Sequence, residues 1–199
     1  VRLTLRATSF FIATHQGDDM ILERVLSSGY KMKILERREY KEFYQYVERD
    51  RSNSENWVPF VSKTKSEADA ENYIIKFLEL FKNGEGYFWG LWDGNTIIGL
   101  VLIKDIDKNL STAEIGYMID KKYEGKKIVK ETCDVMIDFI FNELKLDKIR
   151  ICCDEENMKS KKFPESYGFK HEGTIRKDIK INGRIGNTMY WGLLKEEYR

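Results

Sequence analysis

The sequence predicts a mixed α/β fold in which a run of antiparallel strands leads into one long amphipathic helix. Three observations predict it. Short apolar runs of strand character alternate with runs of helical period, in the order strand, strand, helix, helix, three strands, helix, strand, helix, two strands. Turn signals at Ser27-Ser28-Gly29, Asp93-Gly94-Asn95 and Asn182-Gly183 join strands that follow one another, which makes those pairs hairpins. No internal repeat or low-complexity segment interrupts the pattern.

Composition narrows the classes. A chain of 199 residues can bury a sizeable core, and 42% hydrophobic with 34% charged residues is ordinary for a globular protein. A net charge of +1 gives no general reason to expect DNA or RNA. Lysines do gather at 121–130 and 159–162, which suits one small polyanion better than a duplex. Cys133, Cys152 and Cys153, with His15 and His171, show no metal-ligand spacing, so no metal is expected. Cys152 and Cys153 are neighbours in a predicted strand and therefore face opposite ways, as buried small residues of a reducing cytosol would. No apolar run reaches membrane-spanning length, and Ser9 to Ala13 is too short for a signal-peptide core. The expected location is cytoplasmic.

Residues 1–19 read as an N-terminal extension of unknown role, ahead of one domain over 20–199. Ile21 to Leu26 and Lys31 to Leu35 are short alternating runs. Glu36 to Arg51 reads as a helix, with Tyr40, Phe43, Tyr44 and Val47 on one side. Ser52 to Ser62 reads as a loop carrying Trp57, Pro59 and Phe60; such aromatics either tuck over the core or line a pocket. Ser66-Glu67-Ala68-Asp69 resembles a capping box and opens a helix that Asn83-Gly84 stops. Tyr87 to Trp92 and Thr96 to Ile103 are strands, and a turn at Asp107 to Leu110 leads to a third.

That third strand, Ala113 to Ile119, precedes a polar loop and then the long helix, whose stripe is Val129, Cys133, Met136, Ile140 and Leu144. The loop holds Lys121, Lys122, Gly125, Lys126 and Lys127 where the helix starts. A helix start offers unpaired N–H groups and the positive end of the macrodipole, so the loop is either a phosphate seat or an ordinary connection with solvated lysines. Lys148 to Cys153 is a strand, Asn157 to Tyr167 a short helix broken or bent near Pro164, and Phe169 to Ile181 with Arg184 to Leu194 a long hairpin.

Four stretches now carry a family likeness. They are Ala113-Glu114-Ile115-Gly116-Tyr117; Glu124-Gly125-Lys126-Lys127-Ile128; Asn157 through Ser160 to Gly168-Phe169 and Glu172-Gly173; and Leu193 to Tyr198. In this order and spacing the chain resembles the GNAT superfamily of acyl-CoA-dependent N-acetyltransferases, most of all its RimJ/RimL-type branch with the ribosomal-protein-serine acetyltransferases. The resemblance implies a central, mostly antiparallel twisted sheet of about seven strands with about four helices, splayed to leave an acyl-CoA groove. It implies acetyl-CoA as co-substrate and an amine acceptor, either a protein N-terminus or a small amine. Members often pair, so a homodimer is compatible with it.

The implied site can be assigned residue by residue. Glu124, Gly125, Lys126, Lys127, Ile128 and Val129 would hold the pyrophosphate, with backbone near Met118 and Ile119 pairing with the pantetheine arm. Asn157 would bond that arm or simply cap its helix. Trp57 and Phe60 would face the acceptor. An amine must be neutral to attack, which at pH 7 costs about 1 kcal/mol for an α-amino group against roughly 4.6 for an unperturbed lysine. A protein N-terminus is therefore the easier acceptor, with Glu114 as base through water and Ser160 as donor to the leaving thiolate.

Three residues depart from the pattern. Lys127 stands where relatives carry glycine, Pro164 where many place a tyrosine, and Asn187 where the branch commonly has aspartate. Lys127 either sits in a left-handed backbone at a cost of about 1–2 kcal/mol or in an ordinary first turn; its side chain either blocks phosphate or adds charge to it. The expected activity is N-acetyl transfer to a protein N-terminus. Polyamine or aminoglycoside-type acceptors, or a non-catalytic CoA- or protein-binding module, are the alternatives.

Overall fold

The computed structural model describes residues 22–198. The extension expected at 1–19 lies outside them, as does Ile21 at the start of the first expected strand. Among the described residues eight strands form one sheet: β1 (Glu23–Val25), β2 (Lys31–Ile34), β3 (Tyr87–Asp93), β4 (Thr96–Asp107), β5 (Thr112–Ile119), β6 (Lys148–Asp154), β7 (Lys170–Ile181) and β8 (Arg184–Leu194). Their spatial order is β1-β2-β3-β4-β5-β6-β8-β7. All neighbours are antiparallel except β5 and β6, which the long helical crossover makes parallel.

Five α-helices cover this sheet: α1 (Tyr40–Ser54), α2 (Pro59–Lys63), α3 (Glu67–Asn83), α4 (Ile128–Asp138) and α5 (Met158–Tyr167). Alternation along the strands sends side chains to two cores. Phe88, Leu100 and Met118 meet Phe43 and Val47 of α1 and Ile74 and Phe77 of α3. Trp89, Val101, Ile115 and Ile149 meet Cys133 and Met136 of α4 on the other face. Burying a large apolar side chain stabilises by about 1.5–3 kcal/mol, against about 0–1 kcal/mol for an exposed ion pair. The two cores, not the abundant surface charge, hold the fold.

Local chemistry sets the helix ends. Ser66 Oγ accepts from the Asp69 N–H at 3.2 Å, and the Asp69 carboxylate accepts from Lys65 N–H at 3.0 Å, so the shorter acid still caps α3. Gly84 ends α3 in the left-handed conformation, φ +67°. After Asp138, α4 widens into a π turn over Phe139–Glu143, and the apolar stripe continues through buried Ile140.

Three expectations change. α1 runs to Ser54 rather than Arg51, and α2 begins within the stretch 52–62 expected as loop and ends at Lys63. At five residues α2 is too short to show a period, and only Pro59 at its first position marks it. α5 is not broken at Pro164: it continues from Met158 to Tyr167, with the Gly168 N–H donating to the Pro164 carbonyl at 3.2 Å.

Candidate active site

The sheet splits at its parallel step. β5 and β6 pair at only three positions, Thr112 with Lys148, Ala113 with Ile149, and Glu114 with Arg150. Beyond Glu114, β5 stays with β4 as far as Ile119, while β6 stays with β8 as far as Asp154. A cavity of about 690 Å³ opens at this divergence, lined by the free stretch of β5 from Glu114 to Met118, by Ile151 to Asp154 of β6, and by Asn157 and Ser160. The strands are therefore not zipped together: the fold leaves a slot with an unpaired backbone edge on the β5 side.

Tyr117 spans that slot. Its ring packs edge-on against Phe163 of α5, with centroids 5.1 Å apart, and its hydroxyl donates to the Ser160 carbonyl at 3.2 Å. This bond answers the chemistry of Pro164. Proline has no N–H, so the carbonyl four residues earlier, that of Ser160, loses its helical donor, and the tyrosine from β5 replaces it. Burial raises the Tyr117 hydroxyl well above its ordinary pKa, so it remains protonated and a donor.

Glu114 occupies the apex of the split and is 9% exposed. Its cross-strand partner in β4 is Lys104, whose Nζ lies 2.7 Å from the carboxylate. Lys104 also reaches Asp105 at 2.9 Å, a residue held at φ +50° where β4 bulges between Lys104 and Asp107. Burial works against the Lys104 ammonium, but the Glu114 and Asp105 carboxylates outweigh it and raise the amine above its usual value. On the other side of the slot, burial and then the Glu114 carboxylate push the Cys152 thiol up. Cys152 thus faces the cavity as an inert neutral group, while Cys153 is 8% exposed and joins the core.

The loop before α4 is built around its backbone. Asp120 is buried, receives Arg49 at 3.2 Å and accepts from the Lys122 N–H at 2.9 Å, which fixes where the loop begins. Gly125 has φ +76° with open space where a Cβ would lie. Lys127 is the residue before α4, with φ 63° and ψ 5°, and its side chain makes no capping bond. Of the two backbone states the sequence allowed, it adopts the left-handed one. Its side chain is exposed and does not plug the slot.

Ile128 is buried and Val129 half-buried, so their side chains serve the core. What they offer an anion is backbone N–H at an uncapped helix start. Lys126 lies 4.5 Å from the Tyr123 ring, and Lys159 of α5 bridges to Glu124 at 2.8 Å, tying the loop to the helix on the far side of the slot. These features fit an acyl-CoA carrier: the unpaired strand edge of β5 leads in the chain to an open glycine and then to the unpaired amides of a helix start. Asn157 Oδ1 accepts from the Ser160 N–H at 3.2 Å, so its cap role is filled; the Ser160 hydroxyl has no partner among the described residues.

The far end of the cavity holds Trp57 and Phe60. Phe60 stacks on Tyr73 of α3 at 4.8 Å. Trp57 lies beneath the Arg184 guanidinium at 5.3 Å, and Arg184 in turn binds buried Asp154, Glu156 and, at 3.5 Å, the Asn56 carbonyl. The Asn182 amide adds a bond to the Glu55 carbonyl at 3.3 Å. The tip of the last hairpin is thereby strapped to the aromatic loop.

Asn187 lies outside the lining, where it accepts from the Lys177 N–H at 3.0 Å and donates to Glu155 at 2.7 Å. Its exchange for aspartate therefore removes no carboxylate from the cavity wall. Lys104, Tyr117, Arg184 and Thr188 were not anticipated from sequence. Thr188 is 5% exposed, lines the cavity and leaves its hydroxyl without a partner among the described residues.

Comparison with known proteins agrees with this geometry. The model of the acetyltransferase (GNAT) domain matches residues 33–170. The chain is 30% identical over 169 residues, 84% of its length and 92% of the relative's, to YdaF of Bacillus subtilis, provisionally named a ribosomal N-acetyltransferase. It is 25% identical over 145 residues, 71% of its length and 79% of the relative's, to the ribosomal-protein-serine acetyltransferase of Escherichia coli. Among solved structures, one described as a probable acetyltransferase has a TM-score of 0.80 at 28% identity, over 85% of this chain and 94% of the other. RimL in complex with coenzyme A has a TM-score of 0.81 at 14% identity, over 87% and 98%, a likeness of fold.

Proposed function

The chain belongs to the GNAT family of acetyltransferases, and from that premise we propose that it transfers acetyl from acetyl-CoA to the N-terminal amine of a protein. The observation that carries the proposal is the three-pair ladder between β5 and β6, which ends at Glu114 and leaves a slot directly beyond that carboxylate.

In this reading the open edge of β5 at Met118 and Ile119 pairs with the pantetheine arm. The amides from Gly125 to Val129, with Lys126 and Lys127 nearby, receive the pyrophosphate. Glu114 takes a proton from the acceptor ammonium through water, and Lys104 holds the carboxylate in position. The freed amine forms the C–N bond to the acetyl carbon, a backbone N–H of β5 bonds the oxyanion, and the C–S bond breaks as the surplus proton on nitrogen passes to the departing sulfur. The Ser160 hydroxyl donates to the departing thiolate, a task that Pro164 lacks the functional group to perform. Trp57 and Phe60 form the acceptor wall.

Calorimetric titration with acetyl-CoA, followed by thiol release with a panel of peptides and amines, tests the reading. Glu114→Gln is expected to lower turnover by about 10²-fold or more while leaving acetyl-CoA affinity unchanged. Undiminished turnover would clear Glu114 of the base role, and absence of acetyl-CoA binding by the parent protein would remove the enzymatic reading.

A further inference from the structure

We infer that the acceptor carries negative charge close to its reactive amine, and that Lys63 and Lys76 read it. The inference rests on the transfer reading above and concerns which amines that site accepts.

The charged groups lining the cavity divide by element. β4 and β5 contribute Lys104, Asp105 and Glu114; the one ammonium bonds both carboxylates, at 2.9 and 2.7 Å, and leaves this group with a net negative charge. Asp154 of β6 is held by Arg184. Asp178 of β7 accepts from the Tyr190 hydroxyl at 2.9 Å. Lys63, the last residue of α2, and Lys76, in α3, also line the cavity, and both are exposed. Neither forms an ion pair or hydrogen bond among the described residues. Each follows by one helical turn a member of the stacked pair that makes the same wall, Lys63 after Phe60 and Lys76 after Tyr73.

The lining carboxylates thus sit on the strands, Glu114 at the reacting end, while the uncompensated cations sit together on the helical wall. An ammonium is drawn to the strands. Whatever follows it along the acceptor meets two unneutralised lysines, which repel a second cation and attract an anion. A polyamine, with further positive charges along its length, is disfavoured. A peptide with acidic side chains directly after its N-terminal residue is favoured. The α-carboxylate of a free amino acid offers the same chemistry over a shorter reach.

The test compares kcat/KM for Ser-Asp-Glu-Ala-Tyr, Ser-Asn-Gln-Ala-Tyr and Ser-Lys-Lys-Ala-Tyr, with free glutamate as a fourth acceptor. The acidic peptide is expected to exceed the neutral one by about 5- to 10-fold at low ionic strength, two exposed pairs being involved. The margin should shrink as salt is raised. The double variant Lys63→Glu/Lys76→Glu should reverse the order towards the lysine peptide with the KM for acetyl-CoA unmoved, and Lys63→Arg/Lys76→Arg should keep the parental order. Free glutamate outpacing the acidic peptide would assign the same lysines to an amino-acid carboxylate. Equal rates for the three peptides, or an acidic preference that survives charge reversal, would overturn the inference while the transfer reading stands. Acetylation of none of the acceptors would overturn both.

Discussion

Lys127 carries a conformation that an L-residue adopts at a cost. At φ 63° its Cβ crowds the neighbouring carbonyl, worth about 1–2 kcal/mol, and the exposed side chain recovers nothing by capping α4. Lys127→Gly is therefore expected to stabilise the fold by about 1 kcal/mol, which raises Tm by about 2–4 °C for a chain of this size. An unchanged melting curve would count against strain at this position. Because the side chain points to solvent, the same substitution removes positive charge without opening space, so acetyl-CoA binding should weaken, and weaken less at high salt. The letters of the sequence identify the departure from glycine, but a backbone dihedral is not written in them.

At the scale of elements, β5 and α5 are coupled through one bond. Pro164 deprives the Ser160 carbonyl of its helical donor, and Tyr117 supplies another from a strand 43 residues away. Tyr117→Phe should destabilise the protein by about 1 kcal/mol in urea unfolding, because a half-buried acceptor is left unmet. Pro164→Ala restores an N–H to the helix, so in that background Tyr117→Phe should cost markedly less; equal costs in both backgrounds would break the link. Periodicity made most elements legible: the stripe of α4, the buried run Tyr87 to Trp92 and the caps at Ser66 and Gly84 all declare themselves locally. The place of Glu114 in β5 was legible too, through its motif. Its partner Lys104 was not, because the pairing depends on a register set by the bulge at Lys104–Asp107, and no local pattern announces a bulge. The bond from Tyr117 to Ser160 was hidden for the same reason: it joins segments that only the tertiary fold brings together.

At the scale of the molecule, the sheet behaves as two partial sheets, β1 to β5 and β6 to β8, joined by three pairs and by the helices that cover them. A ligand that lies along the slot adds contacts to both halves and is absent from the unfolded chain. Acetyl-CoA at 100 times its Kd should accordingly stabilise the protein by about 2.7 kcal/mol. In hydrogen exchange, the added protection should fall on β5 beyond Glu114 and on the amides from Gly125 to Val129, with little change in β2 and β3. Protection spread evenly over the sheet, or a transition that does not move with ligand concentration, would argue against a carrier in the slot.

The strap between Arg184, Asn182 and the stretch from Glu55 to Trp57 has an evolutionary and practical corollary. Two surface regions more than 120 residues apart in the chain form one linked unit, since the carbonyls of one are ligands for side chains of the other. Grafting the terminal ribbon of a relative onto this chain, without its matching aromatic turn, would leave those carbonyls unanswered and the tryptophan without its cationic lid. Acceptor preference in such chimeras should therefore travel with both segments together and with neither alone.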